Sequence, residues 1–250
     1  MKIAFVIPPS RMSREIHIPY GITTLATLCD SLGYRTAIVD CTPDPVFEVD
    51  AVRKALAVEE QWDVIAVGGF SSQYKYIQQI VPAARQMFPQ ATIIAGGGFL
   101  TSMPHEAMQL LPDIDVGCIG ESEETLPEVL ERIYNRQWDS VKGIIYRDAN
   151  KKIVMTEHRP LIKDLDKLPY PNLDLLNMEA YFQRSPLDLS MAAMFSKRRI
   201  SLITERGCPH NCTFCVHLGM SCLDLSKIYK TEIKGPFVRF NSARYVVDLI

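Results

Sequence analysis

The stretch Val64-Ile65-Ala66-Val67-Gly68-Gly69 predicts a buried β-strand that ends at a pair of glycines. Its residues are apolar at successive positions, which is typical of a parallel strand covered by helices on both faces. Amphipathic segments at residues 49–60 and 76–87 flank this strand and predict helices. A short buried strand between two helices indicates a parallel sheet of the α/β class.

The same alternation of strands and helices extends over the first 135 residues. The predicted strands are residues 2–7, 35–40, 64–68, 91–95 and 116–119. The predicted helices are residues 22–32, 49–60, 76–87, 104–110 and 125–134. This pattern predicts an α/β fold with a doubly wound, five-stranded parallel sheet, for which we expect the flavodoxin-like order 2-1-3-4-5.

Glycine-rich stretches follow three of the predicted strands. They are Gly68-Gly69-Phe70-Ser71-Ser72, Gly96-Gly97-Gly98-Phe99 and Gly120-Glu121-Ser122-Glu123. Ligands of open parallel sheets bind beyond the carboxyl ends of the strands, where glycine lets the backbone approach a ligand closely. Each glycine could instead serve only the turn from strand to helix. No G-x-G-x-x-G follows the first strand, so a dinucleotide is not the favoured ligand.

Three cysteines lie close together in Cys208-Pro209-His210-Asn211-Cys212-Thr213-Phe214-Cys215. Iron–sulfur clusters normally take four cysteines, so three thiolates suggest a 4Fe-4S cluster whose fourth iron is left to another molecule. A structural zinc site and a chance cluster are the alternatives. Zinc usually takes four protein ligands, and the sequence has no second C-x2-C pair. We therefore predict that Cys208, Cys212 and Cys215 hold a 4Fe-4S cluster.

The composition is that of a globular protein without a membrane span. The chain has 250 residues, of which 47% are hydrophobic and 22% charged, and its net charge of -2 does not indicate a nucleic-acid partner. Its N-terminal apolar run is too short for the signal peptide of a secreted protein, so we expect none, and without an apolar run of about 18 residues we expect no membrane span. Seven cysteines, an odd number, favour a reduced, cytoplasmic protein with a local metal site. We expect Cys29, Cys41 and Cys118 to be core residues and Cys222 a free thiol.

The chain resembles the N-terminal portion of radical SAM proteins that contain a B12-binding domain, the cobalamin-dependent radical SAM enzymes. The resemblance is carried by Pro19-Tyr20-Gly21-Ile22, Gly33-Tyr34, Asp40, Gly96-Gly97-Gly98-Phe99, Gly120-Glu121-Ser122-Glu123, Leu165-Asp166-Lys167-Leu168-Pro169 and the three clustered cysteines. It implies three cofactors, namely a 4Fe-4S cluster on those cysteines, S-adenosyl-L-methionine (SAM) near Phe214, and cobalamin. The implied cobalamin cleft contains Ser71, Ser72, Gly97, Gly98, Phe99, Gly120 and Glu121.

The resemblance also implies an activity. Such an enzyme cleaves SAM reductively and most often transfers a methyl group, by way of cobalamin, to an unactivated substrate carbon. The expected partners are a small-molecule substrate and an electron donor such as a flavodoxin or ferredoxin. Two alternatives stay open: radical ring formation or rearrangement by the same architecture, and a non-catalytic corrinoid-binding module with a vestigial cluster loop. A methylthiotransferase is disfavoured, because Cys29, Cys41 and Cys118 do not form an evident second ligand set.

The chain departs from many cobalamin domains in the segment after the first strand. Those domains carry D-x-H-x-x-G there, and the histidine replaces the corrin's own base beneath cobalt. Here the segment is Ser10-Arg11-Met12-Ser13-Arg14-Glu15, without a histidine at that spacing. His17, the nearest histidine, lies between two isoleucines and is not favoured as a ligand. The lower ligand of cobalt is therefore left unassigned.

We predict three regions: a cobalamin-binding Rossmann-like domain at 1–135, a connector at 136–197 and the start of a radical SAM barrel at 198–250. The connector should contain a β-hairpin, a helical turn and an apolar segment, at residues 141–156, 178–182 and 190–195. Residues 198–204 should form the first barrel strand, followed by the cysteine loop and a helix at 242–250. A barrel needs several more such units, so we expect the chain to be incomplete for turnover.

Overall fold

A computed structural model describes most of the chain, with several short gaps. The described residues are 1–9, 17–42, 47–183, 198, 200–210, 212–215 and 220–249. Two of the segments discussed above, residues 10–15 and 190–195, lie outside the described residues. No helix within the described ranges is long and apolar enough to cross a membrane.

A seven-stranded sheet of order β2-β1-β3-β4-β5-β6-β7 forms the centre of the molecule. Its strands are β1 (Lys2–Ile7), β2 (Arg35–Asp40), β3 (Val64–Gly68), β4 (Thr92–Gly96), β5 (Val116–Cys118), β6 (Ile144–Arg147) and β7 (Ile153–Met155). The first five strands pair in parallel, with Ile3 opposite Thr36 and Val64 opposite Thr92. The predicted α/β fold and the order 2-1-3-4-5 are confirmed.

Helices connect the strands at nearly all of the predicted places. They are α1 (Tyr20–Ser31), α2 (Val49–Leu56), α3 (Tyr74–Met87), α4 (Gly97–Ser102), α5 (Pro104–Leu110), α6 (Thr125–Glu131), α7 (Met178–Gln183), α8 (Cys222–Tyr229) and α9 (Ala243–Asp248). The sequence did not predict α4, because its glycines read as a loop, or α8. The predicted helical turn in the connector is confirmed as α7.

Each face of the sheet carries its own apolar core, because side chains alternate between the two faces of a strand. Ala4 and Val6 of β1 belong to one core, and Ile3 and Phe5 belong to the other. The second core also contains Trp138, whose Nε1 donates to the carbonyl oxygen of Val129 at 3.3 Å. The parallel strands are therefore covered on both sides, as the sequence predicts.

The predicted connector hairpin is confirmed, and it extends the central sheet. Strands β6 and β7 pair antiparallel, with Ile145 opposite Met155, and β6 also pairs antiparallel with β5, where Gly117 lies opposite Ile145. This pairing covers the edge of β5, which would otherwise leave backbone groups unpaired. The sheet is consequently larger than the five strands that the sequence predicts, and the hairpin is part of it.

The strand predicted over residues 198–204 is wrong for the part of it that the structure describes. Residues 200–204 have no regular structure, and the strand here is β8 (Glu205–Gly207), which pairs antiparallel with β9 (Val238–Phe240). Ile200 and Ile203 are exposed, so no packed surface stabilises a strand at these positions. The predicted helix at 242–250 is confirmed as α9, which begins after an N-cap at Ser242.

Replacing Trp138 with Ala should lower the free energy of unfolding by roughly 3–5 kcal/mol, because the change leaves a cavity in the core. The side chain of Trp138 is 0% exposed. The control is Tyr134→Ala, at a residue that is 79% exposed, which should change stability by less than about 0.5 kcal/mol. Urea unfolding measures both. Equal, small effects would contradict the placement of Trp138 in the core.

Candidate cofactor sites

The carboxyl ends of β1, β3, β4 and β5 lie at one edge of the sheet, which we call the rim. Strand β1 lies between β2 and β3, so the chain's direction of winding reverses beside it. The crevice at such a switch point is where open parallel sheets bind their ligands. The loop after β3 contains a short 3-10 turn, Ser71–Gln73, and the chain after β4 passes directly into α4.

Gln73 joins two loops of the rim. Its buried side chain donates from Nε2 to the carbonyl oxygens of Pro8 at 2.7 Å and Pro9 at 3.1 Å. Its Oε1 accepts from the backbone N–H of Phe70 at 2.8 Å. The amide therefore fixes the loop after β1 to the loop after β3. Sequence reasoning missed Gln73, because a glutamine beside a helix start carries no distinctive signal.

At Gly97, the first residue of α4, the chain after β4 lies close to the loop after β3. The φ of Gly97 is +74°, and a Cβ at this position would lie 2.9 Å from both the backbone nitrogen and the oxygen of Gly69. The N–H of Phe99 donates to the same Gly69 oxygen at 2.8 Å. The start of α4 and the loop after β3 thus pack backbone against backbone. Any larger residue at position 97 would push them apart.

Four of the predicted cobalamin residues offer accessible atoms on the rim. Ser71, Ser72 and Gly97 are exposed, and Gly120 is half-buried. The Oγ of Ser71 lies 3.3 Å from the Oγ of Ser102, which connects the loop after β3 to the end of α4. These residues bring hydroxyl and backbone groups to the edge where a ligand is expected.

The other three predicted cobalamin residues, Gly98, Phe99 and Glu121, are buried. The Phe99 ring packs beneath the rim against Tyr74, with 5.5 Å between ring centroids. Glu121 uses both carboxylate oxygens inside the protein, since it accepts hydrogen bonds from Arg206, Arg239 and the backbone N–H of Ile162. Its carboxylate is therefore held by the protein and is not free to meet a ligand.

Helix α7 of the connector packs over the end of β2, beside the switch point. Tyr181 donates its hydroxyl hydrogen to Asp40, and it forms a small apolar core with Ile7 and Leu176. Burial and the Asp40 carboxylate both raise the pKa of Tyr181. The hydroxyl therefore stays protonated and holds α7 in place. The connector therefore packs against this end of the rim. The sequence did not predict this contact.

The three clustered cysteines follow β8 as half-buried, free thiols. The backbone N–H of Cys215 donates to the carbonyl oxygen of Cys212 at 3.2 Å, so these two residues belong to one turn. In the part of the chain that the structure describes, no three His, Cys, Asp or Glu side chains converge as they would around a single metal ion. A cubane cluster binds each thiolate through a different iron, so its three cysteines do not need to converge on a single point.

Two residues hold the cysteine loop in place. Gly207 has a φ of +99°, and a Cβ there would lie 2.1 Å from the carbonyl oxygen of Phe237, so only glycine permits the turn into Cys208. Lys227 of α8 donates from Nζ to the carbonyl oxygens of Cys212 and Cys215, both at 3.3 Å. Sequence reasoning missed Lys227, because nothing in the pattern connects α8 to the loop.

Phe214, the predicted SAM contact, is 91% exposed. A ring that packs in a core would be covered, so this one is available to a ligand beside the cysteines. His17, the disfavoured cobalt ligand, is also exposed.

The other cysteines differ in their surroundings. Cys29 and Cys118 are buried, as predicted, and burial raises the pKa of each thiol to about 12. Cys41 is half-buried. Cys222 is buried at the start of α8, where its Sγ lies 3.1 Å from the carbonyl oxygen of Gly235. Its thiol is thus engaged with the backbone of its own region.

Comparison with known families confirms the predicted resemblance to radical SAM proteins with a B12-binding domain. Residues 12–130 match the B12 binding domain family. This part of the chain is a B12 binding domain, and it contains the rim with Gln73, Gly97 and Glu121.

Curated relatives match over most of the chain. An uncharacterized methyltransferase from Pyrococcus horikoshii is 27% identical over 222 residues, which cover 86% of this chain and 45% of that protein. An anaerobic magnesium-protoporphyrin IX monomethyl ester cyclase from Synechocystis sp. is 25% identical over 227 residues, which cover 88% of this chain and 43% of that protein. The chain thus spans less than half the length of these relatives.

The fold as a whole is similar to that of a solved enzyme. The radical SAM methyltransferase TsrM from Kitasatospora setae, with cobalamin and a 4Fe-4S cluster bound, matches with a TM-score of 0.68 and 17% identity. The match covers 99% of this chain and 44% of that one. At this identity the likeness establishes the fold, including the arrangement of the sheet and the segments that follow it.

Gly97→Ala should destabilise the protein by roughly 1–3 kcal/mol and weaken corrin binding, because an L-residue is strained at this φ and its Cβ meets the Gly69 backbone. The matched control is Gly21→Ala, at a helical position with no atom within 4 Å of the added Cβ. That change should be neutral or stabilise by up to about 1 kcal/mol. Urea unfolding and a hydroxocobalamin titration measure the two effects. If both variants behave alike, the close packing of the rim loops is not what shapes the site.

Proposed function

We propose that this chain belongs to a cobalamin-dependent radical SAM enzyme that transfers a methyl group to an unactivated carbon of a small molecule. The observation that carries the proposal is that a B12 binding domain and a C-x3-C-x2-C loop occur on one chain, and that ion pairs from Glu121 join this domain to β8 and β9 beside the loop. We assign residues 1–135 to the cobalamin domain, 136–197 to the connector and 198–250 to the start of the SAM-binding barrel.

The donor set of the cysteine loop fits a 4Fe-4S cluster. Cys208, Cys212 and Cys215 are free thiols that are neither fully buried nor paired in disulfides, and three thiolates leave one iron for the amino and carboxylate groups of SAM. Lys227 holds the carbonyl oxygens of two of these residues, so the turn that carries them keeps its shape. We assign Phe214 to the adenine of SAM, and the exposure of its ring beside the cysteines supports this assignment.

The rim fits a flat, extended ligand such as a corrin. Gly97 and Gly69 let two loops pack closely without side chains above them, and Ser71, Ser72 and Gly120 supply polar groups at the edge. Gly98, Phe99 and Glu121 complete the proposed site from within, since they support the loops. When bound, the cluster supplies the electron that cleaves SAM and cobalamin carries the methyl group. The protein's part is to place the two sites and to exclude water between them.

Ring formation is the second candidate reaction. Its support is the cyclase from Synechocystis sp., whose identity to this chain is close to that of the methyltransferase from Pyrococcus horikoshii, at 25% against 27%. Both candidate reactions use the same two sites. They differ in the fate of the methyl group of SAM.

An electron donor such as a flavodoxin or ferredoxin would reduce the cluster, and the substrate would be a small molecule. None of the seven cysteines forms a disulfide. This agrees with a reducing compartment, and we propose the cytoplasm.

Anaerobic reconstitution with iron and sulfide should load about four irons per chain. The triple variant Cys208→Ala/Cys212→Ala/Cys215→Ala should lose them. Cys222→Ala is the matched control and should keep them, because that thiol is buried against Gly235. Iron analysis and the optical spectrum measure the outcome. A chain that binds a corrin but no iron would instead be a carrier module, and iron retained by the triple variant would refute the assigned ligands.

Methyl-labelled SAM separates the two candidate reactions. With the reconstituted, reduced protein and cobalamin, a methyltransferase should move the label from SAM to the bound corrin, because cobalamin carries the methyl group in that reaction. Mass spectrometry of the extracted corrin measures this transfer. Formation of 5′-deoxyadenosine with the label left on methionine would favour ring formation or rearrangement.

A further inference from the structure

Four buried, charged side chains join the rim to the two strands beside the cysteine loop. Glu121 and Glu123 follow β5, Arg206 lies in β8 two residues before Cys208, and Arg239 lies in β9. The exposed fraction of the side chain is 5% for Glu121 and Arg239, 6% for Glu123 and 17% for Arg206. Charges buried this deeply are stable only when they are paired and hydrogen-bonded.

Arg239 binds Glu121 through both ends of its guanidinium group. The Nη1–Oε2 distance is 2.9 Å and the Nη2–Oε1 distance is 2.8 Å. The same two nitrogens donate to the carbonyl oxygens of Ile162 at 2.7 Å and Met220 at 2.8 Å. A bidentate pair of this kind has only one good geometry. It therefore fixes how β9 lies against the rim and the connector.

Arg206 continues the network towards the cysteines. It donates from Nη2 to Glu123 at 2.5 Å and from Nη1 to Glu121 at 3.2 Å. Burial alone would lower the pKa of its guanidinium, but Glu123 and Glu121 outweigh burial and raise it. Arg206 thus remains charged at the end of the strand that leads into Cys208.

The pairing of β8 with β9 depends on the carboxylates of the rim. Arg206 and Arg239 lie directly opposite each other in this antiparallel pair. Like charges at opposite positions destabilise a strand pair. Glu121 contacts both arginines and so neutralises the repulsion. The pairing of these two short strands is therefore stabilised by the carboxylates of the rim.

We propose that Glu121 and Arg239 are positioning residues that set the cysteine loop against the cobalamin rim. The proposal rests on the function proposed above and gives Glu121 a role other than direct contact with cobalamin. A buried ion pair adds little net stability, since desolvation offsets the attraction, but it can specify a geometry. The geometry specified here is the distance and angle between the two cofactor sites.

The first test uses the cofactor-free protein and Glu121→Gln, which keeps the shape of the side chain but removes its charge. Amide hydrogen exchange in residues 200–210 and 220–249 should become about tenfold faster or more, because the opposed arginines lose their shared counterion. Exchange in β1 and β3 should not change. Hydrogen exchange read by mass spectrometry measures both regions.

Arg239→Lys is a second variant, chosen in case Glu121→Gln does not fold. It keeps the charge, but a single ammonium group cannot bind both carboxylate oxygens and two carbonyls as the guanidinium does. Its matched control is Arg85→Lys. Arg85 binds Asp115 at 2.6 Å together with three backbone carbonyls, but it lies in α3, and none of these partners belongs to β8 or β9. The control should leave exchange in 200–249 unchanged.

The second test is spectroscopic and uses the reconstituted protein. Cob(II)alamin and the reduced cluster are both paramagnetic, so their EPR signals should broaden each other in the wild type. Arg239→Lys should reduce this broadening while iron and corrin contents stay at wild-type levels, and Arg85→Lys should not. A merely structural role would lower the cofactor contents instead.

The outcomes separate this inference from the proposed function. If the wild type binds both cofactors and the Glu121 and Arg239 variants match it in hydrogen exchange and EPR, the positioning role is overturned and the function stands. If the wild type binds no iron or no corrin, the proposed function fails, and hydrogen exchange in the cofactor-free protein then decides the role of the network.

Discussion

The bidentate ion pair between Glu121 and Arg239 is the contact on which the relation between the two cofactor sites depends. Glu121 follows a strand of the B12 binding domain, and Arg239 belongs to the strand pair that leads into the cysteines. The B12 binding domain has extensive apolar cores on both faces of its sheet. In the described part of the cysteine segment, the only sheet is a short two-stranded one, which is marginal by itself. Buried charge therefore provides the specific geometry there.

The rim and the cysteine loop use the backbone in similar ways. At Gly97 and at Gly207 the chain takes a positive φ, and at both places a Cβ would meet the backbone of another segment. The polar side chains that hold these loops, Gln73 at the rim and Lys227 at the cysteines, bind backbone carbonyls. Both sites are thus shaped by residues that need not contact a cofactor.

The sequence predicts the parallel sheet well, because strands buried on both faces leave continuous apolar runs such as Val64–Gly68. The spacing of the three clustered cysteines alone predicts that they bind an iron–sulfur cluster. The sequence does not predict that β6 extends the sheet or that β8 begins only at Glu205. Both features depend on pairing with a strand that is distant in the sequence. Glu121 shows the same limit. Its place after a strand predicts a ligand contact, whereas its partner Arg239 lies 118 residues away in the chain.

We propose, as the central claim, that a single chain holds a corrin and an iron–sulfur cluster at sites fixed to each other. Native mass spectrometry of the wild-type chain, reconstituted anaerobically with both cofactors, tests this claim most directly. We predict a dominant species that carries one corrin and one 4Fe-4S cluster on the same molecule. Separate populations with one cofactor each, and no doubly loaded species, would contradict it.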